Sequence, residues 1–368
     1  MFNRSMVFLT GATGFLGAHI FLELIKETTF DIGLLIRAEN EEAAWLRLED
    51  VVVRLSGNRN VLIENRNRIS IVNARLQDFS SVVQLKFGSR RFNSISNFIH
   101  CAAATSFRLA KDQAFDENVL GTKAVIGFCN ELKDLKKFVY VGTTFIAGDY
   151  CGDFSENDFN LSQGFGNNYE WSKFESEKLV RDNFNYSYST LVCRPSVVMG
   201  AYKSGWVDKF KMIYEPLRMF SKEIFSVVPA KYETIHNFIP VDLGAKVICL
   251  LMENECGNKV FHVVHPQNIV SGEFLDLCAQ YFNYKNPLFV AANKFNMGQL
   301  SPVQAKLIDV FIHYFNYQAV FKSDITQKVL AKAGFEYPAL DSAYFCRIFK
   351  FMESRNYICK KTIKHSLK

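Results

Sequence analysis

Short apolar runs alternate with amphipathic stretches along the first half of the chain. Met6–Thr10, Gly33–Ile36, Ile69–Val72, Asn97–His100, Phe138–Val141 and Thr190–Cys193 are largely apolar, as strands buried on both faces of a sheet must be. Between them Phe15–Lys26, Glu41–Leu55 and Glu117–Leu132 repeat apolar positions at roughly three-to-four spacing, the period of a helix covering a sheet. This alternation predicts an α/β fold, a doubly wound parallel sheet with helices on both faces. After Pro195 the pattern becomes irregular, although Val241–Met252 reads as a helix leading to one more strand, Lys259–Val264, which rejoins the sheet. From about residue 266 the chain is helical in pattern and rich in aromatics, with Pro287, Pro302 and Pro338 as breakers. The chain of 368 residues is long enough for two units. The expected units are residues 1–265, with an insertion at about 200–237, and a smaller, mostly helical lobe over residues 266–368.

The first strand runs directly into Thr10-Gly11-Ala12-Thr13-Gly14-Phe15-Leu16-Gly17, which opens a helix. In that context the glycines have separate tasks. Gly11 permits the tight turn, Gly14 lets the backbone approach a pyrophosphate, and Gly17 lets the helix pack on the strand. The helix N-terminus adds unpaired N–H groups and a partial positive charge. Residues 1–265 are therefore expected to form a Rossmann domain for a dinucleotide. An acidic residue at the end of the second strand would bind a ribose 2′-hydroxyl, but the chain has Leu34-Leu35-Ile36-Arg37. Arginine matches a 2′-phosphate through its charged fork, with Arg47 on the following helix as a second contact. NADPH is the expected cofactor.

Tyr169-Glu170-Trp171-Ser172-Lys173 sets a tyrosine and a lysine on one face of a presumed helix. A phenol with an ordinary pKa of about 10 is a weak acid–base group at neutral pH. A neighbouring ammonium is expected to lower that value towards the working range, and the same lysine can reach the nicotinamide ribose. Thr143 stands at the end of the Phe138–Val141 strand, where open α/β sheets bind ligands. The candidate catalytic set is Thr143, Tyr169 and Lys173, with Thr144 as the alternative hydroxyl.

Composition narrows the picture only slightly. The formal net charge of +6 is modest, and Lys and Arg are interspersed with acids rather than gathered in a nucleic-acid stripe. The surplus suits an anionic partner such as a phosphorylated cofactor or an acidic carrier protein. Nine cysteines occur singly, without Cys-x-x-Cys, which argues against disulfides or a zinc site and points to a reducing cytoplasm. The histidines form no metal-spaced cluster. No signal peptide is expected, and no stretch of about 18 uncharged apolar residues predicts a membrane span. The 35 phenylalanines are the one unusual count; they reflect either drift or an apolar pocket.

These residues resemble the extended short-chain dehydrogenase/reductases. Within them the chain is similar to the thioester reductase branch, which includes terminal reductase domains of nonribosomal peptide synthetases, carboxylic acid reductases and fatty acyl-CoA reductases. Thr10–Gly17 matches the opening turn, and Ile36-Arg37-Ala38 with Arg47-Leu48 matches the NADP-phosphate segment. His100-Cys101-Ala102-Ala103 and Asn118-Val119-Leu120-Gly121-Thr122 resemble two further family motifs. Arg194-Pro195-Ser196, Ile239-Pro240-Val241-Asp242 and the tail Lys332–Ile358 also fit. The resemblance adds Ala102, Ala103, Asn118, Pro195 and Ser196 to the cofactor-binding set of Thr10, Gly11, Thr13, Gly14, Phe15, Leu16, Gly17, Arg37, Arg47 and Lys173. Two positions depart from the pattern. Gly142 replaces a usual serine, and Ala74-Arg75 replaces a Gly-Asp contact with adenine, for which Asp78 is a nearby substitute.

The resemblance implies NADPH-dependent reduction of an acyl thioester, carried on coenzyme A or on an acyl or peptidyl carrier protein, to an aldehyde or an alcohol. It also implies that the C-terminal lobe binds substrate. The aromatic segment 301–321, with Phe311, Tyr314, Phe315 and Phe321, is expected either to wall an acyl channel or to form the lobe's core. Two alternatives stay open: an extended-family enzyme acting on a nucleotide sugar, sterol or ketone, and a catalytically silent NADP-binding regulator.

Overall fold

Seven strands form one sheet in which every neighbouring pair is parallel. They are β1 (Met6–Thr10), β2 (Asp31–Leu35), β3 (Ile69–Val72), β4 (Ile95–His100), β5 (Lys137–Val141), β6 (Ser189–Pro195) and β7 (Lys259–Val263). The order across the sheet is β7-β6-β5-β4-β1-β2-β3, so the winding reverses between β1 and β4 and opens a crevice at their carboxyl ends. The computed structural model describes residues 5–78, 94–184 and 187–361, together with 80, 82–84 and 86. The outer ends of the two expected units, residues 1–4 and 362–368, lie outside the described residues.

Helices α1 (Phe15–Glu27) and α6 (Val241–Asn254) cover one face of the sheet, where their apolar stripes join β1, β2 and β7 in one buried cluster. Helices α3 (Gly121–Glu131) and α4 (Asn168–Asp182) cover the other. Part of the phenylalanine surplus is spent there: Phe8 stacks on Phe98 with ring centres 5.3 Å apart, and Phe128 and Phe138 complete the group. Helix α2 (Glu41–Ser56) starts at Asn40, whose side chain accepts from the Ala43 N–H.

Two elements differ from their sequence pattern. The strand expected at Gly33–Ile36 is Asp31–Leu35, though the Ile36 N–H still donates to Val72 O at 3.0 Å. The helix expected over Glu117–Leu132 is interrupted, because a π-helical turn at Phe115–Leu120 precedes α3. The buried Asn118 in that turn bonds the Ala104 backbone in both directions, at 2.8 and 3.0 Å.

A separate apolar cluster draws on residues 199–238 and 269–358 together. It contains α5 (Tyr214–Ser221), α7 (Ser271–Phe282), α8 (Pro302–Ile312) and α10 (Ser342–Ser354). The irregular insertion thus shares its core with the tail. Helix α9 (Asp324–Lys332) departs from that lobe, since its Val329 and Leu330 belong to the cluster under α1 and α6.

Candidate active site

The glycine turn is built by close approach. Gly11 has φ +81°, and a Cβ there would lie 2.7 Å from Ala102 N. A Cβ on Gly17 would lie 2.1 Å from Gly11 O, so neither position admits a side chain. Gly14 caps α1 without a side-chain hydrogen bond, which leaves the first-turn N–H groups open to an anion. The turn is braced from β4. Thr10 Oγ1 lies 2.8 Å from His100 Nδ1 and accepts from the Ala102 N–H at 3.2 Å, while His100 Nε2 lies 3.2 Å from Thr122 Oγ1. Burial pushes His100 down to about 3, so the ring is neutral. An order consistent with all three contacts has Thr10 donating to Nδ1 and Nε2–H donating to Thr122.

This turn forms one end of a cavity of about 1060 Å³ at the carboxyl ends of the strands. Gly11, Thr13, Gly14, Phe15, Leu16 and Gly17 line it. So do Arg37, Arg47, Ala102, Ala103, Thr143, Tyr169, Lys173, Pro195 and Ser196. Asp78, the expected substitute for the adenine contact, is on the same wall, together with Ala74 and Arg75. Arg47 donates to the Arg37 carbonyl at 2.7 Å; it fixes the end of β2 as well as facing the cavity. Thr10 and Asn118 are not on the wall but behind it. Besides its hold on Ala104, Asn118 donates to Ser172 Oγ at 2.8 Å, joining the β4 loop to α4.

The two candidate hydroxyls separate cleanly. Thr144 is fully buried and donates to Pro195 O at 3.4 Å, away from the cavity. Thr143 lies on the wall, where its Oγ1 accepts from the Phe145 N–H at 3.2 Å, and it acts to lower the Tyr169 phenol. The expected acidification of Tyr169 is not found. Burial pushes its phenol up to about 12, Thr143 offsets part of that, and Glu170 and Cys101 add to it. Lys173 is not among the groups that act on it. Its ammonium donates to Val141 O at 3.0 Å and lies 4.4 Å from the Tyr140 ring. Burial pushes Lys173 down to about 8, with Cys101 and Glu177 acting in the opposite sense.

The residues fit a dinucleotide on one further observation. Ser196 is on the cavity wall, and its buried Oγ has no hydrogen-bond partner among the described residues, a polar atom left for a ligand or water to satisfy. The far wall adds residues that pattern reading did not single out: Phe145, Val197, Val198, Lys209, Met212, Ile213 and Tyr214. The stretch 208–214 lies in the expected insertion, whose irregularity was the only signal. The aromatic segment 301–321 is absent from the wall. Phe311 is in the lobe's core, and Tyr314 stacks on Phe107 at 4.9 Å, one layer behind Tyr169. Among the described residues this segment packs into two apolar clusters, as its reading as the lobe's core expects.

Below α4 lies a buried ionic network. Glu177 accepts from Arg194 at 2.7 Å and from Arg181 at 2.8 Å, and Arg194 and Glu177 have no exposure. Burial alone would raise Glu177, but Arg194 and Arg181 hold it below its ordinary value. Arg194 also donates to Asp158 O at 2.8 Å and lies 3.1 Å from His262 Nε2. His262 Nδ1 is 2.6 Å from Lys322 O, so Nδ1–H donates and Nε2 accepts from the arginine. Burial and Arg194 push His262 down to about 3.

Among the described residues no group of His, Cys, Asp and Glu could hold a metal, and no helix is long and apolar enough to cross a membrane. Fatty acyl-CoA reductase wat of Drosophila melanogaster is 26% identical over 271 residues, covering 64% of this chain and 52% of that protein. Fatty acyl-CoA reductase 1 of Homo sapiens is 24% identical over 278 residues, with the same coverages of 64% and 52%. The chain thus spans about half the length of these relatives. The crystal structure of the terminal R domain from the myxalamid PKS-NRPS pathway superposes with a TM-score of 0.81 at 21% identity, covering 98% of this chain and 93% of that one. Residues 9–248 match the model of an NAD-binding family described as male sterility protein, and the chain belongs to that family.

Proposed function

We propose that this protein is an NADPH-dependent reductase of acyl thioesters. The observation that carries the proposal is a single cavity with two chemically different ends. One is the glycine turn with Arg37 and Arg47; the other sets the Thr143 and Tyr169 hydroxyls and Ser196, at the ends of neighbouring elements, beside an apolar wall. The resemblance to acyl-CoA reductases and to a terminal reductase domain supports a thioester on coenzyme A or on a carrier protein.

The glycine turn, Arg37 and Lys173 would hold a nicotinamide cofactor along this wall, and it would supply the hydride for the carbonyl carbon. Tyr169 and Thr143 donate hydrogen bonds to the carbonyl oxygen, and those bonds strengthen as negative charge develops there. Tyr169 carries its proton at neutral pH, because burial raises the phenol, and it passes that proton to the oxygen. The resulting hemithioacetal loses the carrier thiol and leaves an aldehyde; a second reduction gives the alcohol. The Lys173 ammonium, fixed by Val141 O, supplies positive charge and a donor beside the site. Arg37, with no carboxylate at the end of β2, favours the 2′-phosphate of NADPH.

The test is NADPH oxidation with a panel of acyl-CoA and acyl-carrier thioesters, with release of free thiol followed in parallel. Tyr169→Phe is expected to lower kcat by on the order of 10²- to 10⁴-fold while the Kd for NADPH stays put. If NADPH binds but no thioester yields thiol, the proposal fails, and nucleotide sugars, sterols and ketones form the next panel.

A further inference from the structure

The carboxyl of Glu170 follows Tyr169 directly on α4 and has no exposure. A buried carboxylate needs compensation, and here most of it comes from a distant part of the chain. Tyr314 Oη donates to Glu170 Oε1, and the Gly166 N–H donates to Oε2 at 2.8 Å. Asn167, the N-cap of α4, accepts from the Glu170 N–H at 3.0 Å and donates through Nδ2 to Tyr314 Oη at 2.6 Å. Tyr314 is therefore clamped between the first turn of α4 and the residue after Tyr169. Its ring stacks on Phe107 at 4.9 Å and lies 5.2 Å from Phe145, and Phe107 in turn lies 5.9 Å from Tyr169. The fit leaves no slack, since a Cβ on Gly166 would fall 2.5 Å from the His313 ring.

We infer that Glu170 and Tyr314 together are positioning residues for Tyr169, so that a segment of the C-terminal lobe completes the reducing site without touching the cavity. The inference rests on Tyr169 being the proton donor of the proposed reductase. Its physical basis is twofold. The Phe107 shelf holds the Tyr169 ring from the side, and the Glu170 charge works against phenolate at the neighbouring residue. The ionisable groups facing the pair are few. Tyr169 meets Cys101 from the β4 end and Tyr140 from β5, while Glu170 meets His313, Tyr314 and Tyr317 from the lobe. Lys173, one turn further along α4, is engaged with Val141.

The experiment is carried out on the full chain with Glu170→Gln, Tyr314→Phe and the double variant. A ¹³Cζ-tyrosine NMR signal, assigned to Tyr169 by its loss in Tyr169→Phe, reads the phenol without any substrate. Glu170→Gln, nearly isosteric, is expected to raise the phenolate fraction of Tyr169 at a given alkaline pH roughly tenfold. Tyr314→Phe keeps the stack on Phe107 and is expected to lower kcat about tenfold, with the Kd for NADPH within about twofold. The double variant should lose no more than the worse single, because both remove one contact. An unchanged Tyr169 titration in Glu170→Gln, or losses that multiply, would overturn the inference. Failure to find a reducible thioester would sink the proposed reaction, and the NMR titration would still decide this one.

Discussion

Lys173 shows how a single side chain sets two limits at once. Its ammonium is spent on Val141 O and on the face of Tyr140, which anchors α4 to β5. Burial brings its pKa down to about 8, so the charge is present at neutral pH and disappears just above it. Reduction is therefore expected to slow as pH rises through about 8, well before Tyr169 ionises. A kcat/KM profile that stays flat across that window would show that the ammonium is not needed. Arg37 permits a second test at this scale. A charge-assisted bond to a 2′-phosphate is worth about 1.5–3 kcal/mol, so Arg37→Leu should weaken NADPH by roughly ten- to hundredfold and leave NADH unaffected. Equal losses for both cofactors would remove the argument for a phosphate.

Among elements, the β1–turn–α1 unit was fully legible in the sequence, because its requirements are local: a buried strand, a turn that excludes side chains, a bare helix end. Gly17→Ala places a methyl group 2.1 Å from Gly11 O. It is expected to cost about 1–3 kcal/mol of stability and to abolish cofactor binding, both readable from denaturant titrations with and without NADPH. Retention of binding would mean that the turn can yield. Tyr169 and Lys173 were legible for the same local reason, four residues apart on one helix. What their environment does to them was not. The spacing suggested an ammonium acidifying a phenol, but a backbone carbonyl from β5 takes that ammonium, and burial decides the sign. The π-helical turn is not legible in the helical period, and the Asn118 contact with Ala104 ties it to a loop that no such period encodes.

At the scale of the molecule, the strongest ties join segments remote in sequence, which is why no pattern revealed them. Arg194 reaches across to Glu177, to Asp158 and to His262. Removing one partner of a buried ion pair strands the other, at a cost of about 3–5 kcal/mol. Arg194→Met should lower the denaturation midpoint accordingly, and adding Glu177→Gln should restore part of the loss; no recovery would mean that the arginine acts mainly through His262. The fold holds the Glu177 carboxyl below its ordinary value. Its stabilisation is thus complete above the usual carboxylate range and is lost as pH falls through the lower folded value, a loss that the double variant should lack.

Glu156 carries this long-range logic furthest. One buried carboxylate accepts from the His262 N–H of β7 at 3.3 Å and from the Ile325 and Thr326 N–H groups at the start of α9 at 2.7 and 2.8 Å. Three amides from two separate parts of the chain share one acceptor side chain. In hydrogen–deuterium exchange they have a common reason to open together, on the slow timescale of global unfolding rather than that of local fraying. Strand β7 and helix α9, the one helix of the tail, among the described residues, that packs with the sheet, would then behave as one cooperative unit along this seam.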